Sequence, residues 1–220
     1  MGDMIDYPCP DGSRAKGYLA KAESPKGSIV LIQEWWGLND QIKGVADRFA
    51  KAGFTTLAPD LFEGRVTKDP DEANHMMSGL DFPGAANQDI RGALQYLKSD
   101  GGKAAVLGFC MGGALTIIAG VKLPECDSAV CYYGIPPKEV ADPAAMRVPF
   151  MGHFATQDDW CTPAAVAALK NDMAAVETPV EIYDYEGEHG FFNDTREVYD
   201  RSAAELSWDR SIAFLERTLA

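Results

Sequence analysis

Lys103-Ala104-Ala105-Val106-Leu107-Gly108-Phe109-Cys110-Met111-Gly112-Gly113 is the stretch on which the architecture turns. A short apolar run ends abruptly at Cys110, and Ala114 to Val121 continues with helical character, so the segment reads strand, tight turn, helix. Gly108-Phe109-Cys110-Met111-Gly112 also has the G-x-S-x-G spacing of a nucleophile elbow, with cysteine where serine usually stands. The glycines have a physical task. A side chain forced into a sharp strand-to-helix bend needs neighbours without Cβ, because side chains there would strike the backbone of the turn. The bend lifts the sulfur clear at the top of a sheet and places it at a helix N-terminus, whose partial positive charge favours thiolate. The amide of Met111 then points to where an oxyanion would develop. The alternative is a small cysteine between glycines that only lets a helix pack closely on a sheet.

Outward from this segment, short β-branched apolar runs alternate with longer amphipathic stretches, the pattern of a mostly parallel, doubly wound sheet, which together with the elbow predicts an α/β-hydrolase fold. Ser28 to Gln33 reads as a strand buried on both faces. Asn39 or Asp40 can cap a helix with apolar Ile42, Val45, Phe49 and Ala52, stopped by Gly53, and Phe54 to Ala58 is the next strand. Polar residues follow to about Pro83, with a helix expected near 70–79 and loop elsewhere, and a further helix over Ala85 to Leu97. Strands are predicted at Ser128 to Tyr133, Val148 to Ala155 and Val180 to Tyr185, a helix starting near Pro163, and a closing helix from about Glu197 to Leu219. Met4 to Cys9 and Ala15 to Ala20, around Pro10-Asp11-Gly12, predict an antiparallel hairpin at the sheet edge. No repeat or linker interrupts the pattern, so one domain over residues 1–220 is expected.

Composition narrows the partners. With 46% apolar and 24% charged residues the chain is an ordinary globular one, and its net charge of −13 repels phosphate backbones and anionic lipid surfaces. Neither nucleic acid nor membrane is an expected partner. The first residues, Met1-Gly2-Asp3-Met4-Ile5-Asp6, lack the basic start and apolar run of an export signal. The five cysteines, at 9, 110, 126, 131 and 161, form no C-x-x-C pair, which argues against a disulfide framework or a thiolate metal site and for a reducing cytoplasm.

An elbow nucleophile needs a histidine and an acid, in that fold following it in the chain order nucleophile, acid, histidine, each on a loop after a later strand. Of three histidines, His75 reads as a surface or packing residue, His153 as a core residue within a strand, and His189 as the catalytic candidate, set between Glu188 and Gly190 in a turn-rich loop. Asp158 and Asp159 both follow the strand ending near Ala155; Asp158 is preferred because Cys161, three residues on, can pack inward and anchor the loop, leaving Asp159 to solvent or to a helix cap. Glu34 ends the strand before Trp35-Trp36-Gly37, where the second oxyanion donor is expected. It reads either as a strand-end carboxylate reaching water or as a group acting on the protonation of the thiol. Trp36 and its neighbour Trp35 are candidates for an apolar pocket wall.

Gln33-Glu34-Trp35-Trp36-Gly37, Gly108-Phe109-Cys110-Met111-Gly112-Gly113, Gln157-Asp158-Asp159 and Gly187-Glu188-His189-Gly190-Phe191-Phe192, taken in order, resemble the dienelactone hydrolase (carboxymethylenebutenolidase) family over nearly the whole length. The resemblance implies a hydrolase that opens a lactone or carboxylic ester through a cysteine-linked acyl-enzyme. It assigns the nucleophile to Cys110, the other triad members to His189 and Asp158, control of thiolate formation to Glu34, and the oxyanion hole to the amides of Trp35 and Met111, with no metal or organic cofactor. Well-known members carry an arginine shortly after the catalytic histidine, where this chain has Asn193, with Arg196 three residues later. Arg65, Arg196, Trp36 and Phe191 are therefore the candidate substrate contacts, and a small-molecule ester or lactone the expected partner of a monomer or weak homodimer. The rival readings are a thiol-based redox-sensing or binding protein on the same fold, or a thioesterase or cysteine peptidase.

Overall fold

The computed structural model describes residues 1–220. One eight-stranded sheet runs through it, built from β1 (Asp3–Pro8), β2 (Arg14–Ala20), β3 (Gly27–Ile32), β4 (Phe54–Pro59), β5 (Ala104–Phe109), β6 (Ser128–Tyr132), β7 (Phe150–Gln157) and β8 (Val180–Glu188), in the order β1-β2-β4-β3-β5-β6-β7-β8. The β1–β2 hairpin pairs antiparallel and joins β4 antiparallel, and the remaining pairs are parallel. This is the mostly parallel α/β sheet with an antiparallel edge hairpin that the sequence predicts.

The central strands are apolar on both faces because helices cover both. Ile29 and Leu31 of β3 point to the same core as α1 (Asp40–Lys51) and α7 (Arg201–Leu219), whereas Val30 and Ile32 pack with α4 (Arg91–Leu97) and α5 (Met111–Lys122). Such alternation is the period-two geometry of a strand. A third cluster joins Ala129, Cys131 and Phe150 to Val166 and Leu169 of α6 (Pro163–Asp172). Each fully buried aliphatic or aromatic side chain of this kind contributes roughly 1.5–3 kcal/mol. His153, the predicted core histidine, is indeed fully buried in β7, where Nδ1 and Nε2 meet the Tyr185 hydroxyl at 2.8 Å and Ser211 Oγ at 3.0 Å. His75 is exposed on α2 (Pro70–Ser78).

Several element boundaries differ from expectation: β7 and β8 run on to Gln157 and Glu188, beyond the predicted ends at Ala155 and Tyr185. α5 begins at Met111, directly after Cys110, instead of near Ala114, because the bend needs only one residue. The helix expected over 85–97 starts at α3 (Phe82–Gly84) and passes through a π-helical turn, Ala85–Ile90, before α4. The closing helix starts at Arg201 rather than Glu197: residues 190–200 form turns in which Asn193, Arg196 and Tyr199 amides bond to carbonyls three residues back, and Asp200 caps α7 through the Ala203 amide. No helix is long and apolar enough to cross a membrane.

Candidate active site

Everything of chemical interest gathers at the carboxyl ends of β3, β5, β6, β7 and β8, where loops of a parallel sheet converge. Cys110 leaves β5 with φ 57° and ψ −119°, a conformation that L-residues rarely adopt, costing roughly 1–3 kcal/mol. It is held there by its amide donating to the Tyr132 carbonyl (3.0 Å) and by its carbonyl accepting from the Gly113 amide (2.9 Å). The glycine requirement is visible in atoms. A Cβ on Gly112 would lie 2.6 Å from the Gln33 carbonyl oxygen, backbone that cannot move aside.

β7 runs to Gln157, so Asp158 stands one residue beyond its end, and β8 runs to Glu188, so His189 does the same. Asp158 Oδ1 accepts from the amides of Trp160 (2.7 Å) and Cys161 (2.8 Å), and Oδ2 meets His189 Nδ1 at 2.7 Å. Asp158 is buried while Asp159 is exposed, so between the two adjacent acids the geometry brings Asp158 to the imidazole. The opposite ring nitrogen, Nε2, is buried without a hydrogen-bond partner, and His189 lines a cavity of about 200 Å³ together with Cys110.

The same cavity is lined by Glu34, Trp35, Trp36, Trp160 and Arg196. The indoles pack edge to face, Trp35 to Trp36 at 5.1 Å and Trp35 to Trp160 at 5.4 Å between ring centroids, which is a favoured aromatic geometry. The amides of Trp35 and Met111 bond to no other backbone carbonyl and to no side chain, and so are free to receive an oxygen. Glu34 is buried, its Oε1 accepting from the Tyr133 hydroxyl (3.1 Å) and its Oε2 from Asn193 Nδ2 (2.6 Å). The orientation of Asn193 is fixed, because its Oδ1 already accepts from the Thr195 amide (3.1 Å) and hydroxyl (2.7 Å).

The sequence profile of the dienelactone hydrolase family matches residues 15–219. The chain belongs to the dienelactone hydrolase family. It is 30% identical to the protein usf of Aquifex pyrophilus, with all of both chains covered, and 26% identical to carboxymethylenebutenolidase 1 of Cupriavidus pinatubonensis over 98% of this chain and 97% of that one. A dienelactone hydrolase-like promiscuous phosphotriesterase from metagenomic libraries has the same fold, with a TM-score of 0.86 at 21% identity over 100% of this chain and 99% of the other. This dienelactone hydrolase-family protein is therefore a hydrolase on the α/β-hydrolase architecture.

Two candidate contacts are corrected. Phe191 does not face the cavity: Gly190, at φ 87°, turns the chain so that the ring points inward, fully buried 5.1 Å from Tyr185 and 5.4 Å from Tyr133. Arg65 is exposed and folds back on its own turn, donating from Nε to the Phe62 carbonyl at 3.2 Å, outside the cavity. Trp36 and Arg196 do line it, with the guanidinium 4.3 Å from the Trp36 ring. Three residues beyond the sequence candidates complete the site. Asn193 and Tyr133 hold Glu34, and Trp160 closes one wall while remaining 60% exposed. Trp160 had a signal in its position beside Asp158 and Asp159; Tyr133, with its φ of 37°, had none, since it reads as the last residue of a buried strand.

Electrostatics follow from these contacts. Burial pulls the His189 imidazole toward neutrality, but its hydrogen bond to Asp158 and the nearness of Cys110 outweigh that and raise it to about 10. Asp158 feels burial in the opposite sense, yet His189 and the two backbone amides hold it below the usual carboxylate range. Glu34 is pushed up by burial, against the counter-effect of Asn193, His189, Tyr133 and Arg196.

Proposed function

We propose that the protein hydrolyses a small carboxylic ester or lactone through a thioester on Cys110. One observation carries the reading: in a single cavity a sulfur on a strained bend adjoins an imidazole whose far nitrogen is bonded to a buried carboxylate and whose near nitrogen has no partner. The sulfur of Cys110 attacks the carbonyl carbon while its proton is held by His189 Nε2, and the amides of Trp35 and Met111 receive the oxyanion. Collapse expels the alkoxide or enolate, which takes the proton from His189. In a lactone the leaving oxygen stays tethered to the acyl group. His189 then removes a proton from water, hydroxide adds to the thioester, and the sulfur departs to regain its proton. Asp158 keeps Nδ1 protonated throughout, which leaves Nε2 as the acceptor.

Glu34 acts on the first step through charge: a carboxylate near the sulfur disfavours thiolate, and a neutral acid does not. Its caging by Asn193 and Tyr133 supports a fixed position rather than a strand-end group reaching water. Cytoplasmic conditions suit the five free thiols. The experiment is turnover of p-nitrophenyl acetate by Cys110→Ala, with intact mass of the wild-type protein quenched during turnover. Loss of at least three orders of magnitude and a mass gain of one acetyl group on Cys110 are expected, as for removal of a triad nucleophile. Undiminished turnover in the variant would refute the assignment.

A further inference from the structure

Trp36 and Arg196 line not one cavity but two. Beyond them lies a groove of about 610 Å³ between the N-terminal turn of α1 and the loop after β4, whose walls include Leu38, Gln41, Lys43, Val66, Lys68 and Thr195. The two cavities are thus separated by a single stacked pair, and its halves are held very differently. Trp36 is fixed: it is 7% exposed, packs on Trp35, and its carbonyl accepts from the Thr67 amide at 3.1 Å. The adjacent Gly37, at φ 91°, lets the Arg65 backbone press against it, so the two loops brace each other. Arg196 is exposed, forms no ion pair and no side-chain hydrogen bond, and is held by cation–π contact with the indole and by longer-range attraction to Glu34. Packing fixes the tryptophan, whereas no direct hydrogen bond or ion pair ties the arginine in place.

We propose, resting on the acyl-transfer reading above, that cavity and groove form one substrate site divided by Arg196, and that the groove takes an elongated, uncharged, hydrogen-bond-donating arm of an ester whose carbonyl sits at Cys110. The groove's chemistry selects that arm. Its cations, Lys43, Lys68 and Arg196, stand against Asp40 and Asp60, so the lining leaves a single positive charge unmatched. Asp60 is already engaged by the amides of Phe62 (3.3 Å) and Gly64 (2.6 Å). Gln41 lines the groove, and its Oε1 is buried without a partner, an acceptor that a hydroxyl or amide N–H would satisfy once the side chain turns into the groove. Thr195, on the opposite wall, links the groove through Asn193 to Glu34. A compact lactone would fill the 200 Å³ cavity and leave all of this unused.

The test compares methyl benzoate, hexyl benzoate and 6-hydroxyhexyl benzoate, which share the acyl group and differ only in the arm. A hydrogen bond to an otherwise unpaired acceptor predicts that wild-type kcat/KM favours the hydroxylated ester over hexyl benzoate by about threefold to tenfold, and that Gln41→Leu erases the difference. Val66→Trp, at a site 54% exposed, fills the groove and, with a thermal melt to show the variant is folded, should lower the ratio of either long ester to methyl benzoate. Equal rates for the two long esters, or ratios unmoved in both variants, overturn the proposal. A crystal of Cys110→Ala soaked with 6-hydroxyhexyl benzoate gives an answer independent of turnover: an arm lying past Trp36 beside Gln41 supports the divided site, whereas an arm in solvent or no bound ester overturns it. If none of the three esters is turned over, the acyl-transfer reading fails while the crystal still decides the groove.

Discussion

Replacing Asp158 by asparagine tests the site at its most constrained hydrogen bonds. Both partners of Oδ1 are backbone amides, at 2.7 and 2.8 Å, and amides can only donate. The oxygen of the introduced carboxamide must therefore keep that position, and its NH2 group is forced toward His189 Nδ1, which in the native protein lies 2.7 Å from Oδ2. Nδ1 can meet that donor only by accepting, so the ring proton moves to Nε2, the nitrogen that should take the thiol proton. The imidazole also loses the carboxylate that helps hold it up to about 10, so its protonated form is less available for the leaving group. Wrong-tautomer loss in a triad is worth about three to four orders of magnitude in kcat, or roughly 4 to 5.5 kcal/mol of activation free energy. The assay is steady-state hydrolysis of p-nitrophenyl acetate, paired with the pH dependence of iodoacetamide alkylation at Cys110 and a thermal melt to show the variant is folded. Asp159→Asn is the control: its side chain is exposed and makes no hydrogen bond, so less than a twofold change is expected. A folded Asp158→Asn protein within tenfold of wild-type activity would refute the reasoning, and a larger loss in Asp159→Asn would move the acid to that residue.

Two further outcomes concern the fold. Burial, aided by the Arg210 charge, lowers His153 to about 3, below its unfolded value of about 6.5, so in that window only the unfolded chain binds the proton and stability falls as pH drops. Between pH 7 and 5 this one group should remove about 2 kcal/mol, read by urea unfolding, and His153→Gln should have a correspondingly shallower pH slope. Gln33 is fully buried with both side-chain polar atoms unpaired, so Gln33→Met should gain about 1–3 kcal/mol and raise Tm by several degrees; a lower Tm would mean the amide has a partner that the protein contacts do not reveal.

The sequence made the elbow, the strand alternation and the order of Cys110, Asp158 and His189 legible because each is a local signal: spacing of glycines, runs of β-branched residues, a polar residue just past an apolar strand. What it hid depends on register and rotation. Phe191 follows the histidine closely and reads as a cavity residue, but a single glycine at φ 87° sends it into the core. Arg65 and Arg196 are both lone basic residues in polar loops, and tertiary packing separates them: Arg65 folds back on its own turn, whereas Arg196 lies over Trp36 at the cavity. The cage around Glu34 draws on residues 99 and 159 positions away, Tyr133 and Asn193, contacts that no periodicity encodes.

The unusual backbone of this protein is not spread evenly. Its three non-glycine residues with positive φ are Glu63, Cys110 and Tyr133. The first lies in the loop after β4 that walls the groove, the second ends β5, and the third follows β6, so all stand at the carboxyl edge of the sheet. At roughly 1–3 kcal/mol each, such positions are expensive against a typical total stability of about 5–15 kcal/mol. Most unpaired buried polar atoms follow the same rule, with those of Gln33, Gln41 and His189 at or beside that edge. The exception, Glu125 Oε2 ahead of β6, belongs to a carboxylate whose other oxygen accepts from Arg91 and Gln95. A chain selected only to fold would relieve the strain and pair the amides. β5 and β6, buried along their whole length, supply the rigidity that lets Cys110 and Tyr133 stay strained on adjacent strand ends, cross-linked by the Cys110 amide and the Tyr132 carbonyl. The amino edge of the sheet carries no strained side-chain-bearing residue, and the local inconsistency therefore coincides with the site proposed for the chemistry.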